Sequence, residues 1–171
     1  YVHHAESRTI KRIPGHQQVY RRNQQWCHQK WGRWVRMAWP HFEPVVPGSA
    51  ALREWLERLR SWARRRTHVY VYCPWPDGLT RDELFRSVDL VPHADIHWYP
   101  IPPSRSTRWV ATGLILKRRK KPFDLIVAPD PQFAQLMRRL GWLHHAEVVP
   151  FDDEGQLTNR WQQRSRSPWS S

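Results

Sequence analysis

The sequence predicts an α/β fold: a small, mostly parallel sheet of about four strands with flanking helices, preceded by an N-terminal extension. Two observations predict it. First, short β-branched or apolar runs alternate with helical patterns after residue 66, and only a few residues connect them. Second, with 171 residues, 40% of them hydrophobic, the chain is long enough to bury one core.

The N-terminal region predicts an arm followed by a helix. Residues 1–23 have no sustained period and contain the turn Pro14-Gly15. From Gln24 to Ala38, apolar side chains recur at helical spacing. This apolar face comprises Cys27, Trp31, Trp34, Val35 and Ala38. We therefore assign residues 1–48 to a basic, tryptophan-rich arm and helix.

A second helix and a first strand follow. Ser49 is a good N-cap for a helix with an apolar face formed by Leu52, Trp55, Leu56, Leu59 and Trp62. Val69–Cys73 is β-branched and aromatic, as in a strand. Thr80 and Glu83 form a capping box for the next helix, which would bury Leu84 and Phe85.

The rest of the domain continues the alternation. Ile96–Tyr99 and Ala146–Val149 predict strands, and the apolar run at Asp124–Ala128 predicts a strand buried on both faces. Residues 104–121 fit a helix beginning near Ser106 better than a strand. Trp109, Val110, Leu114 and Ile115 would line that helix.

Asp130-Pro131 is a typical helix start, and Gly141 a typical helix end. The segment between them predicts a helix with Phe133, Leu136, Met137 and Leu140 facing inward. We assign residues 49–151 to the α/β domain and residues 152–171 to a polar tail.

Charge is the strongest functional signal. The formal net charge is +13 and the isoelectric point is near 10.8, which favours a polyanionic partner. Residues 1–66 contain fourteen Lys and Arg against four acidic residues. No acidic residue lies between Glu6 and Glu43, and four tryptophans are interleaved with the cations there. Cations neutralise phosphates and indoles stack on bases, so the pattern indicates nucleic-acid binding.

The sequence thus predicts a protein that binds DNA or RNA without catalysis, as a component of a nucleoprotein or processing complex. The expected contact residues combine this region with the basic residues near residues 105–121. They are Arg21, Arg22, Trp26, Lys30, Arg33, Arg36, Arg105, Arg108, Lys117, Arg118, Arg119, Lys120 and Lys121.

Two alternatives remain open. Asp77, Asp130 and Asp152 each follow a predicted strand, so they would meet at the carboxyl edge of a parallel sheet and hold Mg²⁺ for a nuclease or phosphotransfer reaction. Turn, cap and surface roles explain the same aspartates more simply. The third function is a protein-interaction subunit that docks an acidic partner.

Other classes lack support. No GxGxxG or GxxxxGK[ST] motif occurs, so we expect no nucleotide or other small-molecule cofactor. The cysteines, Cys27 and Cys73, form no disulfide framework, and no apolar run approaches the roughly 20 residues of a membrane span. We expect a cytoplasmic protein, or one that accompanies nucleic acid in a nucleoid or nucleus, with no membrane partner.

Overall fold

The structure, a computed structural model, describes residues 15–103, 107–117 and 122–166. The chain divides into two compact units, of which the first ends at Arg33 and the second begins at Trp34. The first unit contains α1 (His16–Trp31), and every described side chain on this helix is exposed.

The predicted helix from Gln24 to Ala38 is therefore wrong in its second half. Gly32 follows α1 with a φ of 73°, a left-handed conformation that commonly ends helices. Val35–Pro40 is instead a strand, β1. Its side chains alternate between faces, with Val35, Met37 and Trp39 in one core and Ala38 in the other.

The second unit is built on an all-parallel sheet of five strands, which confirms the α/β prediction. The strands are β1, β2 (Thr67–Pro74), β3 (Ile96–Ile101), β4 (Leu125–Ala128) and β5 (Glu147–Pro150). Their order across the sheet is β3-β2-β1-β4-β5, so the strand that the sequence analysis missed is the central one. The first compact unit ends at Arg33, within the residues 1–48 that the sequence assigns to the arm and helix.

Helices cover both faces of the sheet. They are α2 (Ala50–Ala63), α3 (Arg81–Arg86), α4 (Thr107–Leu116), α5 (Pro131–Arg139), α6 (Gly141–His144) and α7 (Glu154–Arg166). Residues of α2, α3 and α7 belong to one core, and residues of α4 and α5 to the other. Right-handed crossovers explain this, because the chain moves outward from β1 to β3 and then returns to the opposite side for β4 and β5.

Three predicted helix starts are confirmed by their caps. The Leu52 amide donates to the Ser49 hydroxyl at 3.1 Å, and the Phe133 amide donates to the Asp130 carboxylate at 2.8 Å. Thr80 and Glu83 form both hydrogen bonds of the predicted capping box. The preference for a helix over a strand within residues 104–121 is also confirmed by α4.

The predicted polar tail is largely the helix α7. Leu157 is fully buried, and the Trp161 indole donates to the Thr67 hydroxyl at 2.9 Å. Arg58 of α2 forms an ion pair with Glu154 at 2.6 Å. The helix was missed because two apolar side chains over four turns give a weak periodic signal. Across the described segments, each helix is too short or too polar to span a bilayer.

Candidate nucleic-acid interface

The two faces of the sheet carry helices of different charge composition. The helices α2, α3 and α7 mix arginines with the carboxylates Glu54, Glu57, Asp82, Glu83 and Glu154. The opposite helices, together with Lys117, contain no acidic residue at all, and we call them the α4–α6 layer. The cations of the α4–α6 layer are Arg108, Lys117, Arg138 and Arg139.

Three of these cations are exposed and uncompensated. Arg138 and Arg139 lie in the last turn of α5, and Lys117 directly follows α4. None of the three forms a salt bridge with a carboxylate in the described ranges. Cations at a helix C-terminus interact favourably with its dipole, which explains their position but does not neutralise their charge.

The same layer presents two bare indoles. Trp109 on α4 is 66% exposed and Trp142 on α6 is 72% exposed. The sequence pattern predicts Trp109 on the inner face of its helix, and this is wrong, since Ala111, Thr112 and Ile115 fill that face. Large exposed apolar side chains grouped on one surface are typical of interaction sites.

Gly113 leaves the surface beside Trp109 open. It lies one turn further along the exposed face of α4, and a Cβ at this position would meet no atom within 4 Å. No close packing therefore requires glycine here, although glycine in a helix costs about 1 kcal/mol relative to alanine.

Arg108, a predicted contact residue, is already engaged within the fold. Its guanidinium forms an ion pair with Asp130 at 3.1 Å and donates to the Gln132 side chain at 2.8 Å. It also lies over the Phe42 ring, 5.6 Å from the centroid. Arg108 thus connects α4 to the start of α5, and its charge is partly compensated.

The aspartates proposed as metal ligands do not form a cluster. In the described part of the chain, no group of three or more His, Cys, Asp or Glu side chains could hold a metal ion. Asp130 caps α5 and pairs with Arg108, while Asp77 and Asp152 are exposed. The strand order explains the separation, because β2 and β5 lie three strand spacings apart, about 14 Å.

The crevice between β1 and β4, where doubly wound sheets usually bind ligands, is poorly suited to phosphate. Pro131 removes one amide at the start of α5, and the Asp130 carboxylate occupies the Phe133 amide. After β1, the His41 ring stacks on Trp55 with centroids 4.3 Å apart. Burial lowers the pKa of His41, an effect that the nearby Glu43 partly opposes.

The predicted contacts of the first unit are exposed on α1. Arg21, Arg22 and Lys30 face solvent, and Trp26 is 56% exposed. The Lys30 ammonium lies over the Trp26 ring, 5.0 Å from its centroid, so the cation and the indole already form a pair. Arg33, just after this helix, is half-buried.

Arg36 lies in β1 rather than on the predicted helix. Its guanidinium lies 5.4 Å from the Tyr70 ring centroid and donates to the Tyr70 hydroxyl at 3.3 Å. At the amino end of the same strand, Trp34 is 38% exposed and stacks on His68, with ring centroids 4.6 Å apart. Arg66 lies over the Trp34 ring. These contacts hold the side chains of Arg36 and Arg66 against aromatic rings of the same unit.

Cys73 and two of the tryptophans contribute to the core rather than to a site. Trp39 and Trp62 are fully buried. Cys73 is buried at the end of β2, and burial raises the pKa of its thiol to about 12, which makes it a poor nucleophile.

Several predicted contact residues lie outside the described residues: Arg105, Arg118, Arg119, Lys120 and Lys121. Trp142, Arg138 and Arg139 are absent from the predicted contact residues, and Trp109 is predicted on the wrong face of α4. One sequence feature could have indicated this layer: acidic residues are absent from two long stretches, between Asp95 and Asp124 and between Asp130 and Glu147.

Comparisons of this chain with models of protein families, with curated proteins and with solved structures found no match.

Proposed function

We propose that this protein binds nucleic acid through the α4–α6 layer, as a non-catalytic component of a nucleoprotein or processing complex. One observation carries the proposal: a helical layer without a carboxylate presents both exposed indoles and uncompensated cations. A nucleic acid has a group for each of these features, since phosphates pair with cations and bases stack on indoles.

The first unit supports the same proposal from a separate part of the chain. The side chains of Arg21, Arg22 and Lys30 are exposed beside Trp26, and α1 contains no acidic residue. An exposed helix of 16 residues is only marginally stable by itself, so a polyanionic partner would stabilise it. In the sequence, residues 117–121 are all cations and directly follow α4.

The test compares two doubly substituted proteins that lose the same charge. Arg138→Gln with Arg139→Gln removes two cations from the α4–α6 layer. Arg53→Gln with Arg81→Gln is the matched control, because it removes two arginines from α2 and α3 that already pair with Glu57 and Asp82. Fluorescence anisotropy with labelled single- and double-stranded DNA and RNA gives each affinity at salt concentrations from about 50 to 200 mM.

We expect the Arg138/Arg139 variant to lose about ten-fold in affinity, with a salt slope reduced by about two, because each lost phosphate contact lowers the slope by about one. The control should remain within about two-fold of the unsubstituted protein. Equal losses in both variants would contradict an interface on this layer. An absence of binding at about 100 mM salt would contradict nucleic-acid binding and favour an acidic protein partner.

A further inference from the structure

We infer that the α4–α6 layer recognises unpaired strands, with Trp109 and Trp142 as two separate platforms for base stacking. This inference rests on the proposed function and specifies its substrate class. In a duplex, neighbouring pairs cover the base faces, so only phosphates and groove edges are accessible. An indole face can stack only on a base that has left the duplex stack.

Neither indole is used by the fold. Within the described segments, Trp109 and Trp142 have no ring partner, no cation above the ring and no hydrogen bond to the indole nitrogen. Trp34, by contrast, is only 38% exposed and already stacks on His68. A large aromatic side chain can bury about 150–250 Å², so each of these exposed indoles offers a substantial surface for stacking.

The surroundings of the indoles indicate a strand with phosphates rather than an apolar peptide. Trp142 follows Arg138 and Arg139 by three to four residues, across the junction of α5 and α6. A base on this indole would therefore have two uncompensated guanidinium groups nearby for its flanking phosphates. An apolar partner would leave these charges without a counter-charge.

Trp109 provides the second platform, on a different helix. The bare backbone at Gly113 leaves room beside the ring, where a larger side chain would compete with a stacked base. Because α6 packs against both α4 and α5, the two platforms lie on neighbouring helices. Two platforms on separate helices suit two bases of one flexible strand.

The experiment measures affinity for an unpaired homopolymer and for a duplex of equal length, in DNA and in RNA, at constant salt. The test variant is Trp109→Ala with Trp142→Ala. The control is Val91→Ala, because Val91 is 71% exposed but lies between α3 and β3, away from the α4–α6 layer. A second variant, Gly113→Gln, retains both indoles and only obstructs the surface beside Trp109.

We expect the double tryptophan variant to lose about 30-fold or more in affinity for the single strand, since each stacked base contributes at least about a factor of five. Its affinity for the duplex should change by less than about two-fold, and Val91→Ala should change neither. Gly113→Gln should weaken single-strand binding in a protein whose circular dichroism is unchanged.

Three results would overturn the inference. Equal losses for single strand and duplex, or no loss for either, would show that the indoles do not select unpaired bases, while nucleic-acid binding itself would stand. Binding of neither form by the unsubstituted protein would overturn the proposed function and the inference together.

Discussion

The two helical layers of this sheet use tryptophan in opposite ways. On one face, Trp55 and Trp62 of α2 are buried against the sheet, and Trp161 of α7 packs edge-on against Trp62, with centroids 6.3 Å apart. On the other face, Trp109 and Trp142 point away from the core. The number of tryptophans therefore says little about function until the fold separates buried indoles, which stabilise it, from indoles that are exposed to solvent.

The two layers also differ in their ion pairs: arginines of α2 and α7 have carboxylate partners, whereas Arg138 and Arg139 of α5 have none among the described residues. Arg53 pairs with Glu57 at 3.3 Å on α2, and Arg160 of α7 pairs with Glu147 at 2.8 Å. Exposed pairs of this kind contribute little stability, about 0–1 kcal/mol each. The difference between the layers therefore concerns the charge available to a partner more than the stability of the fold.

The largest expected effect contrasts a buried indole with an exposed one. Trp62→Ala should lower the free energy of unfolding by about 3–5 kcal/mol, because it removes a fully buried side chain and leaves a cavity. Trp142→Ala should change it by no more than about 0.5 kcal/mol. Urea unfolding followed by circular dichroism measures both, and a large loss for Trp142→Ala would show that α6 depends on its indole.

A smaller effect is expected at the cap of α3. Thr80→Ala should cost about 1 kcal/mol, since the hydroxyl accepts the Glu83 amide at the first turn. Thr112→Val on α4 is the matched control, because its hydroxyl donates back to the Arg108 carbonyl within the helix and should contribute little. Similar losses in both variants would contradict a specific role for the cap.

The same cap gives a pH dependence. Hydrogen bonds from Thr80 lower the pKa of Glu83, so the cap contributes its stability above the ordinary pKa and loses it as the pH falls through the lowered one. Thr80→Ala should reduce this acid-side dependence without abolishing it, because the backbone amide of residue 80 still donates to Glu83. Unfolding measured across acidic pH would reveal the reduction.

Gly113→Ala on the α4–α6 layer should stabilise the protein, whereas Thr80→Ala should destabilise it. Alanine at this open helical position should raise the free energy of unfolding by about 0.8–1.0 kcal/mol. Gly155→Ala, in the first turn of α7, should gain less because that turn lacks a complete set of backbone hydrogen bonds. A loss of stability at Gly113 would show a packing constraint at this position.

The smallest effect concerns His41, which stacks on Trp55 in the opposite layer. Because burial lowers its pKa in the folded state, the unfolded chain binds a proton at a higher pH than the folded protein. Stability should therefore decrease as the pH falls below the ordinary value of 6.5 and level off below the lowered pKa. Substitution by glutamine should flatten this segment of the curve.

Most of the fold could be predicted because its local signals agree. Ser49, Thr80 and Asp130 begin helices as their side chains indicate, and Gly113 does not prevent α4. The central strand β1 escaped prediction because Trp31, Trp34, Val35 and Ala38 also match helical spacing. Only the left-handed Gly32, which separates α1 from β1, breaks that pattern.

The candidate site was less predictable, because exposure depends on the assembled fold. Trp109 lies among apolar residues, and its sequence neighbours do not reveal that Ala111 and Ile115 occupy the inner face instead. Arg138 and Arg139 lie in the last turn of α5, where cations are common, so the sequence does not mark them as contact residues. They stand out only in the folded protein, where α4, α5 and α6 cover one face of the sheet and contain no carboxylate.

The central place of β1 also orders events during synthesis on the ribosome. Of the five strands, β1 is translated first and can pair with β2 early, but its other edge has no partner until β4 is translated more than eighty residues later. Until then, the nascent chain exposes one unpaired edge of its central strand, to which chaperones or other chains could bind.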